Sequence, residues 1–248
     1  MLSVAIITYN EEKNIARCIE SVQEVADDIV VIDSYSNDNT ADIAKALGAR
    51  VILNRFPGHI EQKNFAITHA KYPFILSLDA DEAIDETFKQ EIIAIKKQAS
   101  YAAAYNINRF NNYCGKWIKH GAWKNDWKLR LWDSTQGQWG GMNPHDKFML
   151  NNNAAKIITL KGKILHWSYY STEEHKQRSI KYAEIAAIAY QKQGKKSSLF
   201  KICFSPVFRF VRDYLLKLGF LDGKMGFVIA SITAKEVYLK YLKLYQKQ

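Results

Sequence analysis

Two carboxylates, Asp79 and Asp81, close the apolar run Phe74-Ile-Leu-Ser-Leu-Asp-Ala-Asp81. Acids spaced by one residue, where a buried strand meets water, can hold a hard divalent cation through oxygen and leave positions open for substrate phosphates. Surface turns are rich in Asp, so the doublet gains weight only from its neighbours. Thr8-Tyr9-Asn10-Glu11-Glu12 follows one β-branched run, and Asp33-Ser34 with Ser36 and Asp38 follows a second. Downstream, Gly140-Gly-Met-Asn-Pro-His145-Asp146 sets an imidazole and a carboxylate side by side in a loop, and His166 ends the stretch Lys163-Ile-Leu-His166. There is no Gly-x-Gly-x-x-Gly and no Walker loop, which argues against a dinucleotide oxidoreductase or a P-loop kinase.

These residues need a scaffold, and the first hundred positions supply one. Short apolar, β-branched runs at 3–8, 29–33, 51–54 and 74–78 read as buried strands. Between them lie helical patterns. Ile15, Cys18, Ile19 and Val22 share one face; Asn39 to Asp42 can cap a second helix that Gly48 stops; 60–70 reads as a third. An acidic start and a lysine-rich end mark a fourth at 85–98, in accord with the helix dipole. The βαβα rhythm predicts a doubly wound, mostly parallel α/β sheet, in which ligands bind at the carboxyl ends of the strands. Thr8 to Glu12, Asp33 to Asp38 and Asp79 to Glu82 all fall at that edge.

The 248 residues, 48% of them apolar, suffice for one large α/β domain with helical additions. All six tryptophans lie between Trp117 and Trp167, where core packing and stacking on sugar faces are both open. Cys18, Cys114 and Cys203 are odd in number and far apart, so unpaired thiols in a reducing compartment are expected. No leader pattern precedes the first strand, and no apolar stretch is long enough to span a bilayer. Charge is lopsided: residues 161–248 hold 17 Lys/Arg against 6 Asp/Glu, a net of +11, while 1–160 are nearly neutral. Basic residues interleave with aromatics on the helical patterns 199–218 and 226–245, the second striped by Phe227, Ala230, Ala234, Val237, Tyr241 and Leu244. That pattern suits an anionic membrane surface; packed helices with lysines in water are the plainer reading.

Taken together, the motifs resemble family 2 glycosyltransferases of the GT-A fold. Val4-Ala-Ile-Ile-Thr-Tyr-Asn-Glu-Glu12 is similar to the opening strand and nucleotide loop. Ile29 to Thr40 is similar to the second motif, with Ser34-Tyr35 where Asp-Gly is usual. Gln62-Lys-Asn64 is similar to the helix before the metal motif, and Leu78-Asp-Ala-Asp81 to the Asp-x-Asp itself. Trp139-Gly-Gly with His145-Asp146, Ile164-Leu-His166-Trp, Glu173-Glu-His-Lys and Gly219-Phe-Leu-Asp-Gly-Lys-Met-Gly226 are similar to lipopolysaccharide core β-glucosyltransferases.

The resemblance implies an inverting hexosyl transfer, glucose favoured, from a UDP-sugar to a lipid-linked envelope glycan, with Mn²⁺ or Mg²⁺ as cofactor, on the cytoplasmic face of the inner membrane. It implies Asp81 as the main metal ligand, Asp79 supporting metal or ribose, and His166 as either a third ligand or a structural histidine. Thr8, Tyr9, Asn10, Glu11, Asp33, Ser36, Lys63 and Asn64 would contact the nucleotide sugar, and Arg130 a phosphate or the acceptor. Asp146 would be the general base, with His145 orienting it or touching the diphosphate. The expected division is 1–170 for the transferase domain, its nucleotide half 1–98 and acceptor half 99–170, with 171–248 as a basic helical extension. The rivals are a nucleotidyltransferase and a nucleic-acid-binding protein; nucleic acid is not the expected partner.

Overall fold

The structure is a computed structural model that describes residues 1–98, 100–142, 145–152 and 154–247, the side chains of Met142 and His145 excepted. The chain forms two compact units. One holds 1–109 and 125–166, the other 110–124 and 167–248.

The first unit opens with β1 (Leu2–Thr8), α1 (Ile15–Val22), β2 (Asp28–Asp33), α2 (Thr40–Ala46), β3 (Arg50–Leu53), α3 (His59–Thr68), β4 (Phe74–Asp79), β5 (Glu82–Ile84) and α4 (Glu86–Lys96). Strand β1 lies between β2 and β4, parallel to both, and is buried along almost its whole length, as a central parallel strand must be. The four residues of α1 with helical spacing, Ile15, Cys18, Ile19 and Val22, are the ones it buries. Asn39 sits at the N-cap of α2 but its side chain makes no capping bond. Asp38 does that work, its Oδ1 accepting from the Thr40 N–H at 3.0 Å. Gly48, at φ +84°, turns the chain out of α2 through the left-handed region. Asp85 caps α4, accepting from the Phe88 N–H at 2.8 Å and also from the Lys163 N–H at 3.0 Å.

Beyond α4 the parallel rhythm stops. The chain continues as β6 (Ala104–Tyr113), β7 (Lys116–Trp117), β8 (Asp126–Asp133), β9 (Gly137–Met142), β10 (His145–Leu150) and β11 (Ile157–Tyr169). Antiparallel pairing now enters: β8 lies antiparallel between β4 and β6, and β5 runs antiparallel to β11. The sheet order is β3-β2-β1-β4-β8-β6-β11-β5, a mixed sheet in which β3, β2, β1 and β4 are parallel and β8 is antiparallel to both its neighbours. Strands β9 and β10 form a separate antiparallel hairpin, so the segment expected as a loop bearing His145 and Asp146 is a pair of strands. One core cluster holds Leu76, Phe88, Tyr105, Leu131 and Ile164; on the other face Trp132, Trp139 and Phe148 pack together. The tryptophans divide accordingly. Trp132 and Trp139 are buried, Trp117 and Trp123 pack on aromatic neighbours within the second unit, and Trp127 is 43% exposed.

The second unit is built on α5 (Thr172–Lys192), α6 (Leu199–Val211) and α7 (Gly223–Gln246), with a wider π turn at Arg212–Leu216 after α6. Its small core joins Tyr113, Ile118 and Ile229. The apolar stripe expected on the last helix shifts: α7 buries Gly226, Ile229, Ala230, Ile232, Thr233 and Leu244, while Phe227 is 51% exposed. Among the described residues no helix is long and apolar enough to cross a membrane.

Candidate active site

Three polar residues stand in one row across adjacent strands. Thr8 is the register partner of Asp33, and Asp79 that of Ile7, the residue before Thr8. Thr8 Oγ1 and Asp33 Oδ2 are buried and make no hydrogen bond, and Asp79 Oδ1 has the Lys63 ammonium beside it. Buried polar atoms in folded proteins are nearly always satisfied. Two unsatisfied oxygens side by side at the carboxyl ends of β1 and β2, next to the Asp79 carboxylate at the end of β4, mark where a polar ligand belongs.

The loops beyond these strands are tied to each other. The Asn10 N–H donates to Ser36 Oγ at 2.8 Å, and Ser36 Oγ in turn donates to Asp33 Oδ1 at 2.8 Å. Asn10 Oδ1 accepts from the Asn37 N–H at 2.9 Å, and the Glu11 N–H reaches Thr40 Oγ1 at 2.8 Å. Asn10 and Tyr35 hold φ of +54° and +63°. Non-glycine residues adopt this region at a cost, which the cross-loop bonds offset. Tyr9 is 57% exposed beside this lattice. Asp38, one of the acids at this edge, is engaged by Thr40 and by the Glu12 N–H at 3.2 Å.

The central feature is a chain of alternating charges. Lys63, on α3, is 3% exposed and sets its Nζ 3.1 Å from Asp79 Oδ1 and 2.8 Å from Asp146 Oδ2. Arg130, on β8, places Nη2 2.9 Å from the other Asp79 oxygen and 3.2 Å from Glu82 Oε1. Glu82 is fully buried; it also accepts the Asp79 N–H at 2.9 Å and lies 3.4 Å from Arg109, which pairs with Asp126 at 2.7 Å. Asp81 stands apart from this chain with His166, Nε2 to Oδ2 3.3 Å. Trp139 floors the cluster: Lys63 Nζ lies 4.6 Å and the Arg130 guanidinium 5.5 Å from its ring centroid.

Charge compensation sets the protonation states. Burial alone would lift the Asp79 carboxyl, but Lys63 and Arg130 beside it hold it well below the usual carboxylate range. Burial likewise works against the Asp81 carboxylate, and His166 outweighs it, keeping that carboxyl low. For Arg130 burial pulls down while Glu82 and Asp79 push up more strongly, so it stays charged.

The helix α3 positions Lys63 by clamps on either side. Asn64 exchanges two hydrogen bonds with the Trp139 backbone, at 2.9 and 3.0 Å, and so fastens the β9–β10 hairpin to α3. Fully buried Gln62 accepts from Asn54 Nδ2 at 2.7 Å and donates to Ser34 Oγ at 3.1 Å. Asn64, expected against the nucleotide sugar, is engaged here with the hairpin backbone. The side chain of His145 lies outside the described residues. Glu82, Arg109 and Asp126 belong to the cluster although no motif marks their role; the signal available was a third acid directly after the Asp doublet, ahead of the apolar pair Ala83-Ile84.

The residues present fit a divalent cation. Among the described residues no three His, Cys, Asp or Glu side chains assemble a metal cage. Mg²⁺-like ions, however, bind through one or two carboxylates together with substrate phosphates. Asp79 turns Oδ1 to a position where one cation, the Lys63 ammonium, already stands 3.1 Å away, and Asp81 lies two residues on.

The Glycosyl transferase family 2 model matches residues 3–155. A Rickettsia typhi protein described as an uncharacterized glycosyltransferase is 32% identical over 252 residues, covering 98% of this chain and 86% of its own. The lipopolysaccharide core biosynthesis glycosyltransferase LpsC of Rhizobium meliloti is 26% identical over 99% of this chain and 92% of its own. Among solved structures, a glucosyl-3-phosphoglycerate synthase of Mycobacterium tuberculosis in complex with Mg²⁺ and UDP is 22% identical, with a TM-score of 0.38 over 45% of this chain and 44% of that one. The nucleotidyltransferase and nucleic-acid alternatives fall away on the family match. With an α/β sheet of GT-A type and the family model spanning the carboxylate cluster, the chain belongs to glycosyltransferase family 2 and is a glycosyltransferase.

Proposed function

We propose that the enzyme moves a hexose, glucose favoured, from a UDP-sugar to a lipid-linked envelope glycan such as lipopolysaccharide core, with inversion at the anomeric carbon. The observation that carries this reading is Lys63, whose single ammonium spans Asp79 and Asp146 at 3.1 and 2.8 Å. It brings the carboxylate suited to a diphosphate's cation and the carboxylate suited to a base within reach of one another. Inverting displacement needs that adjacency, because the acceptor oxygen attacks the carbon from which the diphosphate departs.

In this reading the row of Thr8, Asp33 and Asp79 receives the nucleoside and its first phosphates. The unpartnered Asp33 Oδ2 can accept from the N3–H of uracil. Asp81 and Asp79 would hold Mn²⁺ or Mg²⁺, which offsets the charge of the diphosphate. Asp146 takes the proton from the acceptor hydroxyl. Lys63 neutralises the two carboxylates until substrate enters and then stands beside the departing phosphate. Residues 1–98 serve the nucleotide sugar and 99–170 the acceptor. LpsC supports the envelope-glycan acceptor by likeness along nearly the full chain.

The test is a donor screen. The protein with Mn²⁺ or Mg²⁺ and a panel of nucleotide sugars is expected to release UDP from one UDP-hexose and to show a thermal shift with UDP that needs metal. Asp81→Ala should remove the metal-dependent part of that shift. A shift equally large without metal, or unaltered in the variant, would sink the assignment of Asp81.

A further inference from the structure

Helix α6 turns its apolar side to water. Of its thirteen residues it buries only Ile202. Leu199, Phe200, Phe204, Val207 and Phe208 are 57–68% exposed, and Val211 and Leu215 extend the stripe at 37% and 49%. Phe200, Phe204, Val207, Phe208, Val211 and Leu215 recur at the spacing of one helix face, so this is a continuous strip and not a scatter of single residues. Soluble monomers rarely expose apolar patches of this extent without a partner to cover them.

The charge around the strip selects the partner. Between Lys195 and Lys224 the acidic residues are Asp213 and Asp222. Both are buried and engaged: Asp213 pairs with Arg209 and, at 2.8 Å, with Arg212, while Asp222 accepts from the His120 N–H at 2.7 Å. Lys195, Lys196, Lys201, Lys217 and Lys224, in contrast, are exposed. The outward charge of the segment is therefore wholly positive. A second copy seated symmetrically on this face would bring lysines against lysines. An anionic lipid surface meets both the apolar strip and the cationic rim.

We propose that α6 and the π turn after it lie in the plane of an anionic bilayer, the phenylalanines among the acyl chains and the lysines at the headgroups. This docking holds the enzyme where a lipid-linked acceptor would be presented, yet it stands on exposure and charge alone. Its test uses neither donor nor acceptor, so it can fail independently of the transfer reaction.

The experiment is flotation of the full chain with vesicles of phosphatidylcholine, with and without phosphatidylglycerol, at low and high salt. Binding is expected on the phosphatidylglycerol vesicles at low salt and to weaken as salt rises. The double variant Phe204→Ser/Phe208→Ser should lower the bound fraction about tenfold, and Lys195→Glu/Lys196→Glu should do the same, with thermal melts unchanged because these side chains face water. The proposal is overturned if no vesicle binds the protein, or if neutral and anionic vesicles bind it equally. Full retention of binding by the phenylalanine variant overturns it too, as does a two-chain mass in light scattering that the same variant returns to one.

Discussion

Lys63 is the residue on which the site turns, because an ammonium 3% exposed has been taken out of water and must be met by charge. Asp79 and Asp146 meet it. Replacing Asp146 by Asn keeps the shape and would remove the proposed base: UDP binding is expected to persist while turnover falls about 10²–10⁴-fold, read by UDP release under saturating donor and acceptor. Near-normal turnover would take Asp146 out of the mechanism. Glu82 serves a different purpose, holding Arg130 and the Asp79 N–H from a fully buried position. Glu82→Ala strands buried charge and is expected to cost about 3 kcal/mol or more in urea unfolding, well above a surface change. Asp79, Asp81, Lys63 and Asp146 were legible as motif residues. That one lysine joins two of them was not, since 83 positions separate Lys63 from Asp146.

At the scale of elements, α4 packs hard against β11. A side chain at Gly162 would place its Cβ 2.3 Å from the Phe88 backbone, so only glycine permits the contact. Gly162→Ala is expected to destabilise by about 2 kcal/mol or more, seen as a lowered melting temperature, because the neighbour that must move is backbone. The four parallel strands and their helices could be read from periodicity, as each is a local pattern. The mixed half could not: strands β6 to β11 carry no crossover helices to announce their order. The hairpin β9–β10 reads as a loop from its glycines, and it is the hydrogen bonds of Asn64 to Trp139 that fasten it to α3.

For the molecule as a whole, pH probes the packing of both units. Buried His175, its Nδ1 3.1 Å from the Tyr113 hydroxyl, is pulled by desolvation down to about 4. Between about 6.5 and 4 the unfolded chain therefore takes up a proton that the folded chain refuses, and stability falls as pH falls, by up to about 3 kcal/mol. Asp28 contributes a second limb in the other unit. Burial works to raise it, but bonds from Arg50 at 2.8 and 3.0 Å and from the Lys71 N–H hold it low, so its stabilisation is present above the ordinary Asp range and lost as pH drops through the depressed value. Melting temperature is expected to decline in two stages on acidification. His175→Gln should flatten the stage above pH 4 and leave the lower one; an unchanged upper stage would exclude His175 as its source. The chain's composition and periodicity were enough to predict an α/β sheet with its acids at strand ends and its positive charge in the last third, because strand periodicity, capping and net charge are local or additive properties; the transferase reading came from the motifs' resemblance to family 2. Which carboxylates share a cation, which tryptophans are core and which face of α6 meets water depend on residues distant in sequence, and those came from the packing of the folded chain.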